Sequence, residues 1–214
     1  MKKIFLLTIA LLTSTLGSAQ DSAKAKALLD EVYKKVSGYK NIFVDFKYDL
    51  HNSEADINQE ARGTVTLEGD KYIAELLGAK LLFDGNKVYT IVPENEEVTI
   101  EDKAADENAF TPSKILTFYR NGHTYQWDIL QNVQGRKIQY VKLVPIDSNA
   151  ESKYFLMGID VETKHIYKVI DTGKNGTTAT FTVNSFKTDQ PLSKTLFTFD
   201  ESKYKADGYY IIRN

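Results

Sequence analysis

The sequence predicts a mainly β domain, a barrel or half-barrel of about eleven antiparallel strands with two or three helices. Short apolar-rich runs follow one another from Ile42 to Ile100 and again from Tyr125 to Asp200, and turn signals separate them. The connections are too short for the crossover that parallel neighbours need, which favours antiparallel pairing. So many strands in one domain favour a curved sheet over a flat one.

The first run, IFVDFKYDL, sets the pattern for the strands that follow. Its apolar residues alternate with charged ones, so they lie on one face of a strand. These apolar residues are Ile42, Val44, Phe46, Tyr48 and Leu50. The next five runs are ARGTVTLEG, DKYIAELLG, AKLLFDG, NKVYTIVP and EEVTIED. Together the six runs predict an antiparallel meander with one apolar face.

Residues 22–37 predict an amphipathic helix before the first strand. Asp21 or Ser22 can cap its start, and Gly38 ends it. The apolar stripe of this helix consists of Ala25, Leu28, Leu29, Val32 and Val36. Such a stripe has to cover apolar surface, most simply the sheet that follows.

A second, short helix is predicted between Phe110 and Gly122. Thr111 is a good N-cap, Pro112 suits the first helical position, and Asn121-Gly122 supplies the stop. Its apolar residues, which cover more than half of the circumference, are Ile115, Leu116, Phe118 and Tyr119. A helix this short is marginal alone, so it lies on apolar surface, either as a core helix or as a movable cover over a cavity.

Six further strands are predicted after this helix. They are YQWDILQN, RKIQYVKLVP, KYFLMGIDVE, KHIYKVIDTG, TTATFTVNSFK and KTLFTFD. The hairpin IDVETKHIYKVI, in which both strands alternate, is the strongest local pattern.

Residues 1–19 have the features of a cleaved secretory signal. Lys2 and Lys3 precede a short apolar run, and Gly17 and Ala19 have the spacing that a signal peptidase reads. The alternative is a membrane anchor, for which the apolar run is too short. The mature chain then begins at Gln20, and we expect a single domain over residues 20–214. The chain has no cysteine, which excludes lipid attachment at cysteine, disulfides and cysteine metal sites.

The charge balance argues against nucleic acid as a partner. The chain has 27 Lys+Arg and 29 Asp+Glu. Removal of Lys2 and Lys3 leaves 25 against 29, a net charge of about −4. Nucleic-acid binding rests on a basic surface that neutralises phosphates. We therefore expect a soluble, exported protein.

The sequence offers no catalytic or metal site. Asp171-Thr172-Gly173 resembles one loop of an aspartic protease, but those enzymes need two such loops, and a hairpin turn is the favoured interpretation. His51, His123 and His165 do not pair at ligand spacing. Neither a nucleophile elbow nor a phosphate-binding loop occurs. We therefore predict no enzyme activity, no cofactor and no metal.

The chain instead has an excess of apolar residues. Aromatic residues make up 12% of it, and several strands are apolar on both faces, as at Val88-Tyr89 and Ile91-Val92. Two apolar faces need two covers. Either a filled sandwich consumes all of them, or a half-barrel with helices over its concave face holds an apolar ligand.

The order of features resembles a known family. A secretory signal and an amphipathic helix precede V-D-F, R-G-T-V-T-L and L-F-D-G-N-K-V-Y-T-I-V-P, and T-P-S-K-I-L then precedes a W-D-I strand. This order is similar to that of the LolA family of periplasmic outer-membrane lipoprotein carriers, over nearly the whole mature chain. The related outer-membrane receptor LolB is lipidated through a cysteine, which this chain lacks.

The resemblance implies an open barrel of about eleven antiparallel strands whose concave face is covered by the N-terminal helix and the short lid helix. It implies a periplasmic carrier that binds the acyl chains of lipoproteins and shuttles them from the inner to the outer membrane. The implied partners are acylated lipoproteins, an inner-membrane lipoprotein-releasing transporter and an outer-membrane receptor. We expect a monomer.

The resemblance also suggests which residues bind lipid. The predicted cavity and lid residues are Val44, Phe46, Tyr48, Leu50, Val65, Leu67, Phe83, Tyr89, Ile91, Ile115, Leu116, Phe118, Tyr119, Trp127 and Ile129. Enterobacterial carriers have an arginine after the second strand that hydrogen-bonds the lid shut. Here Glu68-Gly69-Asp70 stands at that place, so the sequence predicts that this latch is absent.

Three other functions stay open from the sequence. The first is a periplasmic binding protein for another amphiphile, such as a free lipid or a pigment. The second is a secreted hydrolase, and the third is a structural envelope protein with a filled core.

Overall fold

The computed structural model describes residues 20–102 and 116–213. The predicted signal sequence and residues 103–115 lie outside this part of the chain. A helix, α1, covers residues 20–36. The strands are β1 (Ile42–Asn52), β2 (Ile57–Glu68), β3 (Lys71–Leu76), β4 (Ala79–Phe83), β5 (Lys87–Val92), β6 (Glu97–Asp102), β7 (His123–Val133), β8 (Arg136–Pro145), β9 (Ser152–Asp160), β10 (Ile166–Gly173), β11 (Thr178–Thr188) and β12 (Tyr210–Arg213), and a second helix, α2 (Glu201–Ala206), precedes β12.

The twelve strands form one sheet in the order β12-β6-β5-β4-β3-β2-β1-β11-β10-β9-β8-β7. Strands β2 to β6 pair antiparallel in sequence, as do β7 to β10. Strand β12 instead pairs in parallel with β6. The strands at the two ends of the order are not paired with each other, so the sheet is open. The prediction of a mainly β, open antiparallel fold is confirmed.

The prediction of a last strand at KTLFTFD is wrong. Residues 194–197 form turns, with backbone hydrogen bonds from Leu196 to Ser193 and from Thr198 to Thr195. Leu196, Phe197 and Phe199 contribute to a hydrophobic core there. The alternating apolar side chains of this segment thus cover one face of the sheet, while its backbone does not pair with another strand. The final strand of the sheet is β12, which the sequence analysis missed.

Helix α1 confirms the predicted amphipathic helix. Its five stripe residues are buried, with exposures of 0% to 7%, and they are Ala25, Leu28, Leu29, Val32 and Val36. The exposed positions include lysines and acids, of which Lys26 and Asp30, one turn apart, form an ion pair of 2.7 Å. Within the described residues, no helix is long and apolar enough to cross a membrane.

The chain divides into two compact units. Unit 1 contains residues up to Ser37, His51–Ile57 and Tyr119–Thr180. Unit 2 contains Gly38–Leu50, Asn58–Phe118 and Phe181–Asn214. The single domain expected over residues 20–214 stays a prediction.

In unit 1, one face of β7 to β10 forms the core, and we call it the Met157 face. Cross-strand pairing aligns Trp127, Val141, Met157 and Val169 on this face. Its fully buried members are Val141, Leu143, Met157 and Ile159. Lys164, between β9 and β10, forms an ion pair of 2.7 Å with Glu31 on α1. Helix α1 therefore lies over this face, as its apolar stripe predicted.

In unit 2, one face of β3 to β6 is closed by the C-terminal segment, and we call it the Phe197 face. Ile73, Leu82, Tyr89 and Ile100 follow one another as cross-strand partners. Phe197 is buried against them, with 7% exposure. The rings of Phe199 and Tyr89 stack at a centroid distance of 4.3 Å. This face is a filled core.

The helix predicted from Thr111 is not α-helical in its described part. Residues 116 and 117 form a turn, and Phe118–Arg120 form a single 3-10 turn. The hydroxyl of Tyr125 donates to the carbonyl oxygens of Tyr119 and Arg120, each at 2.9 Å. Because a side chain satisfies these carbonyls, no further helical turn is needed to satisfy them. Residues 111–115 lie outside the described residues.

Helix α2 offers a direct stability test. Asp200 caps its start, and one carboxylate oxygen accepts the amide of Lys203 at 3.1 Å. Replacing Asp200 by alanine is expected to lower the free energy of unfolding by about 1 kcal/mol. Thermal unfolding measures this loss as a fall in Tm of roughly 2–4 °C. The Asp200→Asn variant keeps the cap and should melt close to the wild type. Equal melting of the alanine and asparagine variants would contradict the assignment.

Candidate functional site

The other face of the unit 2 strands is a continuous apolar surface, which we call the Phe46 face. Leu67, Tyr72, Phe83 and Val88 form one cross-strand row. A second row contains Val65, Ala74 and Leu81. The first row is apolar from β2 to β5 and the second from β2 to β4, and at β6 the two rows end in Glu101 and Thr99. The face therefore has the chemistry of a surface that binds hydrocarbon.

The aromatic centre of this face comes from β1 and β11. The ring of Phe181 lies 5.8 Å from that of Phe46 and 4.8 Å from that of Tyr48, between centroids. All three side chains are only half-buried. Alternation along β1 places Val44 and Leu50 on the same side as Phe46. Half-buried aromatic rings leave area that a ligand can cover.

Gly63 of β2 makes room for the ring of Phe46. A Cβ atom at this position would lie 2.6 Å from Cζ of Phe46 and 2.8 Å from the carbonyl oxygen of Glu75. A side chain at Gly63 would thus displace the ring or the neighbouring strand. The glycine in R-G-T-V-T-L consequently fixes the position of Phe46 on the strand surface.

The predicted site residues of unit 2 do not all share this face. Seven of them do: Val44, Phe46, Tyr48, Leu50, Val65, Leu67 and Phe83. Of these, Val44, Leu67 and Phe83 are buried, with exposures of 7%, 5% and 4%, and the other four are half-buried. Tyr89 and Ile91 lie on the Phe197 face, where they are 8% and 2% exposed. They pack against the C-terminal segment and are not brought together with Phe83. Strand β5 is apolar on both faces, and alternation alone does not show which face the chain itself covers.

Tyr89 has a structural role in its core. Its hydroxyl donates to Asp84 at 2.8 Å. Burial and this hydrogen bond raise the pKa of Tyr89 to about 12. Burial opposes ionisation of Asp84, but bonds from the amides of Lys87 and Asn86 and from Tyr89 lower the pKa of Asp84 below its ordinary value. These hydrogen bonds of Asp84 connect the turn Asp84-Gly85-Asn86 to the Phe197 face.

Three predicted site residues belong to unit 1. Tyr119 is fully buried, and burial raises its pKa. Trp127 is half-buried on the Met157 face, opposite Val141. Ile129 lies at an irregularity of β7 and is 56% exposed. These residues do not form one surface within the unit.

Of the predicted lid residues, Leu116 and Phe118 are half-buried and Ile115 lies outside the described residues. At the end of the segment, the guanidinium of Arg120 lies 3.6 Å from the ring centroid of Tyr33 on α1. This cation–π contact joins the segment to the helix within unit 1.

The position of the predicted missing latch is an exposed turn. Glu68 pairs with Lys71 across it, and Gly69 has a φ of +57°. Glu68, Gly69 and Asp70 are all exposed. Glu68-Gly69-Asp70 thus forms a tight β2–β3 hairpin turn.

Unit 2 also has a depression of ≈ 420 Å³ with a mixed lining, in which Arg62, Glu75 and Lys80 lie beside Leu76 and Leu77. Thr64 and Glu75 are cross-strand partners in the register of the Phe197 face, and Lys80 pairs with Glu75 at 3.8 Å. Asp45 accepts a hydrogen bond of 2.8 Å from Asn184 here. Four charged side chains of this lining, Asp45, Arg62, Glu75 and Lys80, would have to lose water against an acyl chain, which favours the Phe46 face as the candidate site.

The Asp171-Thr172-Gly173 motif forms a hairpin, as predicted. Gly173 donates to the carbonyl of Thr177 at 2.8 Å, and β10 continues into β11. Burial raises the pKa of Asp171 against the opposing hydrogen bond from Ser152. Across residues 20–102 and 116–213, no group of three or more His, Asp or Glu side chains could hold a metal ion.

The predicted site lacked several residues of the Phe46 face, and two of them are aromatic. Tyr72 is 3% exposed and lies 5.5 Å from Phe83 between ring centroids, and Phe181 contacts both β1 rings. Both occur in alternating runs, DKYIAELLG and TTATFTVNSFK. Pairing each run with its neighbour would have placed them on this face.

Sequence comparison identifies the family. The profile described as outer membrane lipoprotein carrier protein LolA matches residues 37–200. The chain belongs to the LolA family. Members of this family are carrier proteins of the periplasm. No curated protein matches the sequence.

Several solved structures are similar to this chain. An uncharacterized conserved protein from Thermus thermophilus is similar with a TM-score of 0.56 and 10% identity, over 89% of this chain and 99% of that chain. A LolA superfamily protein from Nitrosomonas europaea has a TM-score of 0.43 and 12% identity, over 82% and 98%. LprF from Mycobacterium bovis has a TM-score of 0.48 and 10% identity, over 81% and 96%. The Thermus thermophilus protein, with the TM-score of 0.56, is the one of these three whose fold this chain shares.

Proposed function

We propose that this LolA-family protein is a periplasmic carrier that binds the acyl chains of lipoproteins on its Phe46 face and shuttles them from the inner to the outer membrane. The observation that carries the proposal is the half-buried cluster of Phe46, Tyr48 and Phe181 on an apolar strand surface. Its partners would be acylated lipoproteins, an inner-membrane transporter and an outer-membrane receptor. The lipid-binding residues would be those that share the Phe46 face, with Leu116 and Phe118 at its lid.

The physical requirement is reversible burial of hydrocarbon. Moving an acyl chain from water into an apolar environment is favourable by about 0.8 kcal/mol for each CH₂ that is buried. Aromatic and aliphatic side chains on a preformed sheet can cover a chain without forming hydrogen bonds to it, so any acyl chain of suitable length fits. The proposal needs no catalytic step.

The decisive test places a charge on this face. Phe46→Glu is expected to abolish uptake of a purified acylated lipoprotein, measured by co-elution in gel filtration, because a carboxylate beside an acyl chain is strongly disfavoured. Phe43→Glu is the matched control, since Phe43 lies on the same strand but points to the opposite face, where Lys187 lies 5.7 Å from its ring. This variant should keep uptake.

A second test compares two forms of the bound lipoprotein. Lipidated and unlipidated forms of one lipoprotein should differ strongly in binding to the wild type. Equal binding of the two forms, or uptake by Phe46→Glu at the wild-type level, would reject the proposal. Mass spectrometry of ligand extracted from the purified protein would reveal a free lipid or a pigment if that is the ligand.

A further inference from the structure

The second face of the unit 1 strands combines tyrosines with lysines, and we call it the Lys142 face. It lies opposite the Met157 face, because its residues alternate with those of the core. Gln126, Lys142 and Leu156 are cross-strand partners on it, and Leu156 pairs with Ile170. Tyr154 and Thr172 form the next row.

The lysines of this face have no carboxylate partner in the part of the chain that the structure describes. The ammonium of Lys142 lies 4.4 Å from the ring centroid of Tyr154. That of Lys168 lies 5.7 Å from the ring of Tyr167. Within residues 20–102 and 116–213, neither lysine forms an ion pair, whereas Lys26, Lys47 and Lys164 each have an acidic partner. A cation above a ring keeps its other side available to an external anion.

Acidic groups are nearly absent from this face. Asp160 is buried and neutralises Arg136, whose Nε lies 2.7 Å from its carboxylate. Asp171 pairs with Phe155 in the register of the Met157 face, so it lies on the other side. Asp128 lies at the irregularity of the end strand β7, where its carboxylate accepts the amide of Ile129. A net positive face thus occurs in a chain with 27 basic and 29 acidic residues.

We propose that the Lys142 face docks reversibly on an anionic phospholipid bilayer surface. Tyrosine rings with half-buried neighbours such as Leu156 and Ile170 suit the interface between headgroups and hydrocarbon. Lysine stems lie along apolar surface while their ammonium groups reach the phosphates. This inference goes beyond lipoprotein binding, since it concerns the membrane surface itself and a different unit of the chain.

The expected strength follows from two unpaired lysines. Each contributes on the order of a fivefold increase in affinity near an anionic surface, so the two together give roughly a thirtyfold preference over a neutral surface at low salt. Such binding is weak and falls with salt, because screening shortens the range of the attraction.

Vesicle flotation tests the proposal with the mature protein. Vesicles of phosphatidylglycerol and phosphatidylcholine in equal parts are compared with pure phosphatidylcholine. We expect the wild type to float with the anionic vesicles only, and to be released at high salt. The Lys142→Gln/Lys168→Gln variant should lose this preference. The Lys24→Gln/Lys34→Gln variant, with the same change of net charge on exposed positions of α1, should keep it.

Four outcomes would overturn the proposal. Three of them are equal binding of the wild type to both kinds of vesicle, a loss of binding in the α1 variant as large as in the Lys142 variant, and binding of the lysines to an acidic peptide but not to the vesicles. The fourth concerns Phe46. The Phe46→Glu variant separates this inference from lipoprotein uptake: it should float like the wild type. If it loses flotation, vesicle binding reports acyl-chain capture and the docking proposal fails.

Discussion

Replacing Phe197 by alanine is expected to lower the free energy of unfolding by about 3–5 kcal/mol. Phe197 is 7% exposed and packs with five buried residues of the sheet: Leu82, Tyr89, Ile91, Val98 and Ile100. Its removal both loses the transfer energy of the ring and leaves a cavity. The rigid strands beneath it are held by cross-strand hydrogen bonds and cannot close around that cavity.

Urea unfolding of the two proteins measures this loss. The matched control is Phe186→Ala, since Phe186 is half-buried and its ring lies 6.4 Å from that of Tyr39. The control should lose clearly less stability than Phe197→Ala. Equal losses would mean that the C-terminal segment does not close the Phe197 face, and the separation of the two faces of unit 2 would fail with it.

The same core explains where the sequence was informative about the fold and where it was not. The alternation in IFVDFKYDL and the five runs after it predicted β1 to β6, because each run carries its own period and its own turn. The apolar stripe that predicted α1 is likewise a local pattern, contained within a single helix. The run KTLFTFD has the same alternation, but its side chains cover a distant sheet surface, and a local pattern cannot distinguish this from pairing.

The candidate site was predictable to a similar extent. Residues from Val44 to Phe83 share one face because alternation fixes the side on which each one lies. Tyr89 and Ile91 were assigned to that face by resemblance, although strand β5 presents apolar residues in both directions. Only the position of Phe197, more than one hundred residues away in sequence, shows which of the two faces the chain fills itself.

The second large effect concerns Asp160, which closes the β9–β10 hairpin. One of its oxygens accepts the amides of Glu162 and Thr163 at 2.9 and 3.0 Å, and the other accepts Nε of Arg136 at 2.7 Å. The residue is only 3% exposed. Asp160→Ala leaves both turn amides without their acceptor, which should cost about 2–4 kcal/mol. Asp160→Asn keeps an acceptor for the amides and loses the ion pair, so it should cost less, about 1–2 kcal/mol.

The pH dependence of stability identifies the charge as the cause. Burial opposes ionisation of Asp160, but the amide of Thr163, the Arg136 guanidinium and the amide of Glu162 outweigh it, and the pKa of Asp160 falls below its ordinary value of 3.8. A carboxyl whose pKa is lowered in the folded state stabilises it above the ordinary pKa, and this contribution disappears as the pH falls through the lowered value. The difference in stability between the wild type and Asp160→Asn, measured by urea unfolding across the acidic range, should therefore be constant near neutrality and shrink at acidic pH. A difference that does not change with pH would assign the effect of Asp160→Asn to shape and not to charge. The loss of stability in Phe197→Ala serves as the comparison. Because this variant removes no titrating group, its loss should persist at every pH at which the protein folds.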